Sequence, residues 1–241
     1  MKENQSSDTT ASDSAPARPP MLIRGVIVVL ALVAWFWTQA LIGQRGFTLA
    51  PVVGEELTRG DALLMGLAPV HHYLSDHPAA ANALLIVSSA VIDSLSIFLL
   101  AWGIFGPTIR PILGLIPLFA LRQLAQVLCV LPAPAGMIWR EPGFPSLLVT
   151  YSVANDLFFS GHTALAVYGA IELARSGRRW LIPLGVLIAL FEIVTVLALR
   201  AHYTLDVYAG AITAVAMALL ADRLAPTCDR ALARLAWKKL G

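Results

Sequence analysis

Long apolar stretches separated by short polar turns dominate the chain beyond its first 20 residues. One runs from Met21 to about Gly43, and five more cover roughly 82–104, 112–131, 159–175, 181–200 and 206–224. Each comes close to the ~20 residues that a helix needs to cross a hydrocarbon core of about 30 Å. Within lipid every backbone N–H and C=O must be satisfied inside its own segment, so runs of this kind are read as helices. The pattern therefore predicts an all-α integral membrane protein with six transmembrane helices. The fourth run is the shortest and opens on Ser160, His162 and Thr163, so its outer end is expected to be buried against protein. Residues 1–20, rich in Ser, Asp, Thr, Ala and Pro without apolar periodicity, read as a disordered tail. The apolar run behind that tail is too long for a signal-peptide core and is taken as the first span. The organisation expected is a tail over 1–20, a six-helix catalytic unit over 21–225 and a basic tail over 226–241.

Composition sharpens the class. Hydrophobic residues make up 58% of the 241 and charged residues 13%, against roughly 25% charged in soluble domains. Such a chain has too few charges to clothe a soluble surface, and the same arithmetic excludes disorder, collagen and a disulfide scaffold. The net charge of +2 gives nucleic-acid binding no support. What matters is where the 17 basic residues fall. With both termini in the cytoplasm, Lys2, Arg18, Arg24, Arg110, Arg175, Arg178, Arg179, Arg223, Arg230, Arg234, Lys238 and Lys239 collect on that side. Only Arg45, Arg59, Arg140 and Arg200 face outward, which the positive-inside rule favours. Three loops then lie outside, over about 44–81, 132–158 and 200–206. This topology places Cys129 and Cys228 near opposite faces, as two unpaired thiols.

Against this apolar background the polar exceptions stand out. Asp156, Ser160, Gly161, His162 and Thr163 lead into the fourth span, and His202, Tyr203, Thr204 and Asp206 lead into the sixth. Both segments belong to the outer face, and ionisable groups at such depth are functional candidates by default. The chemistry that fits them is phosphoryl transfer through a histidine nucleophile. His202 and Asp206 are four apart and share a helix face. Asp206 then holds one ring nitrogen protonated and leaves the other to attack phosphorus. His162 serves as general acid to the leaving oxygen and as general base to the acceptor. Ser160 and Gly161 open a helix whose free N–H groups suit an anion. Read blandly, the same residues are interfacial histidines, a helix-start hydrogen bond and a capped helix.

The two segments also resemble the sphingomyelin synthase branch of the lipid phosphatase/phosphotransferase superfamily named for type 2 phosphatidic acid phosphatase. That branch reads roughly Cys-Gly-Asp-x-x-x-Ser-Gly-His-Thr and, later, His-Tyr-[Ser/Thr]-x-Asp-Val. Asp156, Ser160, Gly161, His162 and Thr163 match the first; His202, Tyr203, Thr204, Asp206 and Val207 match the second. Leu131-Pro-Ala-Pro-Ala-Gly-Met137 is similar to a loop after the third span, and Arg122 stands where that family has an arginine. Ala154 and Asn155 depart from its Cys-Gly. The resemblance implies catalytic His162, His202 and Asp206, with Ser160, Gly161, Asp156, Arg122 and Tyr203 binding substrate. It implies a phosphocholine- or phosphoethanolamine-type head group passing from a phospholipid donor to a lipid hydroxyl, with no metal and no cofactor. The location implied is the cell membrane, as a bacterial inner-membrane protein with its site facing the periplasm. The alternatives are a lipid phosphate phosphatase or phospholipase C-like hydrolase, with water as acceptor, and a non-catalytic lipid transporter or scaffold.

Three further groups are left open. Asp93, Arg122 and Glu192 lie mid-span at similar depth and are expected to pair with one another. His71, His72, Asp76 and His77 crowd the first outer loop as substrate-loop or interfacial residues, since nothing in their spacing makes them converge on a metal. Leu232, Leu235, Trp237 and Leu240 alternate with Arg230, Arg234, Lys238 and Lys239, which suits either an interfacial helix or a solvated tail.

Overall fold

The computed structural model describes residues 21–44, 51–149, 151 and 157–237. The expected tail over 1–20 and the last four residues lie outside them. The helices are α1 (Met21–Gly43), α2 (Pro51–Gly60), α3 (Ala62–Gly66), α4 (Ala68–Asp76), α5 (Pro78–Phe105), α6 (Arg110–Leu128), α7 (Gly161–Arg175), α8 (Leu181–Ala198) and α9 (Thr204–Trp237). No strand occurs among the described residues.

Five of these helices, α1, α5, α6, α8 and α9, are long and apolar enough to cross a membrane. The fourth expected span does not reach that length: α7 has only 15 residues. It is also the most enclosed helix, packing chiefly on α8 and α9 and also on α5 and α6. Ala164, Ala166 and Tyr168 of α7 are wholly buried, and its core partners are Ile92, Leu95 and Leu99 of α5, Leu115 and Leu118 of α6, and Ala214 and Ala218 of α9. A helix wrapped by other helices need not match the bilayer, because protein rather than lipid satisfies its ends. The outer surfaces of α1, α8 and α9 present Leu22, Val29, Trp37, Leu187, Leu190 and Leu219, all exposed. This apolar coat suits a multi-pass membrane protein.

Helix ends follow local chemistry. Ser160 caps α7, accepting from the Thr163 N–H at 3.3 Å. At the other end of α7, Gly177 follows the C-cap Ser176 with φ +80°, the left-handed position that glycine takes without strain. Proline occupies the first turn of α4, α5 and α6, where its missing N–H breaks no helical bond. The expected boundary at 225 falls inside α9, which runs through Pro226 to Trp237.

Charged residues knit one end of the bundle. Glu172 of α7 accepts from Arg110 of α6 at 3.0 Å and from Arg175 at 3.0 Å, and Arg175 also meets Asp222 of α9. Nearby, Asp229 accepts from the Ile109 N–H at 3.0 Å and the Thr108 hydroxyl at 2.6 Å, and pairs with Arg24 of α1 at 3.3 Å. The expected mid-span cluster is different. Asp93 accepts the Leu147 and Leu148 N–H groups at 2.7 and 3.0 Å, Glu192 accepts the Ser88 hydroxyl at 2.7 Å, and Arg122 donates to the Phe159 carbonyl at 3.0 Å. Each buried charge finds a closer polar partner on a neighbouring loop or helix, so the three do not form the mutual cluster. Cys129 and Cys228 are both free.

Because Glu172 is enclosed and pairs with two half-buried arginines, Glu172→Ala should leave Arg110 and Arg175 sharing Asp222. A loss of about 3–5 kcal/mol is expected for breaking such a pair. Thermal unfolding in detergent should show a markedly lower midpoint, whereas Glu55→Ala, which removes a surface pair, should leave it nearly unchanged.

Candidate active site

The end of the bundle opposite the charge network gathers the polar motifs. Three connections bring them together. The Ser160 N–H donates to the Asp206 carbonyl at 3.1 Å, which ties the start of α7 to the start of α9. Gly210 faces the same contact: a Cβ there would lie 2.7 Å from the Ser160 carbonyl oxygen. Arg122 of α6 reaches across, and its Nε bonds the Phe159 carbonyl just before α7.

Asp206 is fully buried and shapes the second motif. Its Oδ2 accepts the Tyr203 N–H at 2.9 Å, the reach-back that closes a helix N-terminus. The same oxygen lies 3.5 Å from His202 Nδ1. That leaves Nε2 as the His202 nitrogen turned away from the carboxylate. Asp61, which caps α3, accepts the Thr204 N–H at 2.7 Å and the Thr204 hydroxyl at 2.5 Å. The segment between α1 and α5 thus braces the start of α9.

His162 is the second residue of α7, and Trp139 packs edge-on against its ring with centroids 5.2 Å apart. Trp139 in turn leans on Tyr151, whose hydroxyl meets Ser89 of α5. Ser160 Oγ is committed to the Thr163 N–H and its carbonyl to the Ala164 N–H. Among the described residues, the N–H groups of Gly161 and His162 remain the uncommitted donors of that first turn. A Cβ on Gly161 would lie 2.8 Å from Arg122 Nε, so the guanidinium lies across the very N-terminus of α7. Two sources of positive potential, the helix dipole and Arg122, therefore converge on one spot, an arrangement that favours an anion.

A cavity of about 420 Å³ opens at this spot. Of the expected site residues, Arg122, Gly161, His162 and His202 line it. Ser160, Tyr203 and Asp206 are buried behind it as cap, packing and ring partner. Burial raises the Tyr203 phenol pKa, which keeps that wall neutral. Asp156 lies outside the described residues. Met137, from the loop quoted in the sequence, lines the cavity, whereas Trp139 and Asp61 join the site or its support without having been singled out. Only Asp61 carried a local sign, as a capping type before an apolar run.

The loop histidines are dispersed. His71 is buried with Nδ1 3.0 Å from the Ala198 carbonyl, and burial holds its pKa below the ordinary imidazole value. His77 stacks on Tyr73, and His72 is exposed. No group of three metal-ligating side chains forms among the described residues.

A family model described as AtPDCT1/2, the plant phosphatidylcholine:diacylglycerol cholinephosphotransferases, matches residues 61–223. The chain belongs to the AtPDCT1/2 family. Its matched region runs from Asp61 through both histidine motifs, and the family is one of membrane lipid cholinephosphotransferases. This corrects the sphingomyelin synthase-like assignment, for which no family model matches. That assignment rested on two histidine motifs, the loop ending at Met137 and Arg122, whereas the AtPDCT1/2 model matches residues 61–223. The bacterial inner-membrane location loses its basis as well, since the family is plant-derived. Neither curated proteins nor solved structures give a significant match.

Gly210→Ala tests the joint between α7 and α9. Its methyl would press on backbone, so a loss of roughly 1–3 kcal/mol is expected. Ala214→Gly on the same helix should lose stability without moving the Ser160 and Asp206 amide signals in hydrogen exchange, which Gly210→Ala should expose.

Proposed function

We propose that this protein transfers phosphocholine from phosphatidylcholine to the free hydroxyl of diacylglycerol, through a phospho-histidine on His202. The observation that carries this reading is the convergence of Arg122 and the α7 N-terminus on a cavity that both histidines line. His202 Nε2 attacks phosphorus while Asp206 holds the Nδ1 proton. The N–P bond forms as the P–O bond to the glycerol breaks, and His162 gives its proton to the departing oxygen. The contact of 3.5 Å between His202 and Asp206 closes as the ring gains positive charge. In the second half, His162 takes the proton of the incoming diacylglycerol hydroxyl. The new O–P bond forms, the N–P bond breaks and His202 is regenerated. Arg122 and the Gly161 and His162 N–H groups bind the phosphoryl oxygens, and they do so most strongly as charge builds on them.

Residues 21–225 form the catalytic unit, with the site at the outer face and both termini inside. Water as the acceptor would yield free phosphocholine, and the deep apolar cavity beside the histidines favours a lipid instead.

In liposomes holding choline-labelled phosphatidylcholine and acyl-labelled diacylglycerol, the wild type should form doubly labelled phosphatidylcholine. His202→Ala should abolish this, a fall of at least about 10³-fold, and should remove an acid-labile, base-stable protein-bound phosphate that His162→Ala retains. Free phosphocholine as the sole product would overturn the transfer reading.

A further inference from the structure

The active-site cavity is far larger than a phosphocholine needs, and most of it is not polar. From His162, His202 and Arg122 it runs beneath α1, between Thr38 and Val28, along α6 as far as Ile112. Ten residues of α1 rise about 15 Å, so the cavity is a slot rather than a bowl.

The attachment of α1 explains why the slot exists. Near one end Arg24 donates to the Gly106 and Gly103 carbonyls at 2.8 and 3.3 Å and pairs with Asp229. Near the other, Gln123 donates to Gln39 at 2.7 Å. Between these two polar attachments, roughly 22 Å apart along the helix, α1 buries only Val28. Between its ends the helix meets α6 through a few side chains, Trp35 edge-on to Phe119 with ring centroids 5.9 Å apart and Val28 against Ile112, and the cavity lies beside these contacts. Small side chains keep the gap open: Ala31 and Ala34 line it from α1, and Ala120 from α6. Ala34 and Ala120 are themselves exposed on the flank of the bundle, so the slot opens sideways toward lipid.

We propose that the slot beneath α1 holds one acyl chain of the glycerolipid whose phosphate lies at the histidines, and that donor and acceptor use it in turn. The inference rests on the transfer reading above. Only a molecule with an anionic head and a hydrocarbon tail matches a cavity that changes from cationic to apolar along its length. The diacylglycerol that leaves and the diacylglycerol that arrives present the same chain to the same site, so one slot serves both halves of the reaction. Ala31 and Ala120 set its width.

The test uses the full-length protein in liposomes, with Ala31→Phe, Ala120→Phe and the lipid-facing control Leu190→Phe. Each is assayed with dihexanoyl and dioleoyl forms of phosphatidylcholine, and separately of diacylglycerol. The slot predicts about a tenfold loss of kcat/KM on both dioleoyl substrates for the two alanine variants, with dihexanoyl substrates within about twofold of wild type. Leu190→Phe should match wild type on all four. Equal losses on short and long chains, or none on long chains, would overturn the slot while leaving the transfer reading intact. Absence of transfer in the wild type would instead sink the transfer reading. The slot is then decided without turnover, using phosphatidylcholine carrying a mid-chain diazirine. Crosslinks in the α1 and α6 peptides that Ala31→Phe suppresses support it, and crosslinks confined to α8 and α9 refute it.

Discussion

Burial of α7, a helix shorter than a lipid-facing span, governs the rest of the molecule. Lipid offers no hydrogen bonds, so both ends of such a helix must be satisfied by neighbouring protein. At its C-terminal end Glu172 draws Arg110, Arg175 and, through Arg175, Asp222 into one network. At its N-terminal end Ser160 caps the helix, while Asp206 and Arg122 take the backbone groups beside it. The two ends receive opposite treatment. The C-terminal end is closed by compensated charge, and the N-terminal end keeps two free N–H groups under a guanidinium. A stable core and an anion-seeking pole are therefore consequences of the same short helix.

That arrangement also accounts for the indirect roles of several polar residues. Asp206 fixes the turn before α9 through the Tyr203 N–H and, with the same oxygen, faces His202. Asp61 fixes the following residue, Thr204. The imidazole is thereby oriented by two carboxylates, one beside it and one acting through the backbone. Trp139 restrains His162 from its edge. Rigid positioning of this kind matters because displacement of a reacting group by about 1 Å can cost on the order of 10²-fold in rate.

Much of this was legible in the chain, and for identifiable reasons. Apolar runs report helices directly because a bilayer punishes every exception, and that is why α1, α5, α6, α8 and α9 stand where the pattern placed them. The motifs around His162 and His202 were visible because polar residues are rare in such runs. Length was misleading for α7, where lipid is not the solvent, and the expected pairing of Asp93, Arg122 and Glu192 failed because equal depth does not imply facing directions. Asp93 turned to the loop at Leu147 and Glu192 to Ser88. The short histidine motifs pointed to a candidate site but to the wrong family. They are a handful of residues that a catalytic site dictates, whereas kinship is written across the packing surfaces from Asp61 to Arg223.

The contrast between α7 and α1 gives the last step. On the proposed reading, catalysis needs a pole that does not move, and α7 suits it by being buried along much of its length. Lipid exchange, on the same reading, needs a wall that does not fill the space beside that pole, and α1 suits it by taking polar attachments near Arg24 and Gln39 with few side-chain contacts, such as Trp35 on Phe119, between them. A tightly packed α1 would seal the histidines from the membrane; an unattached one would lose the slot. Polar attachments suit this task better than apolar ones. In lipid they hold without a hydrophobic driving force between helices, and they fix two points without demanding close contact between them. The few polar residues that the membrane tolerates in this chain are thus divided between ordering the catalytic end and keeping the path to it open.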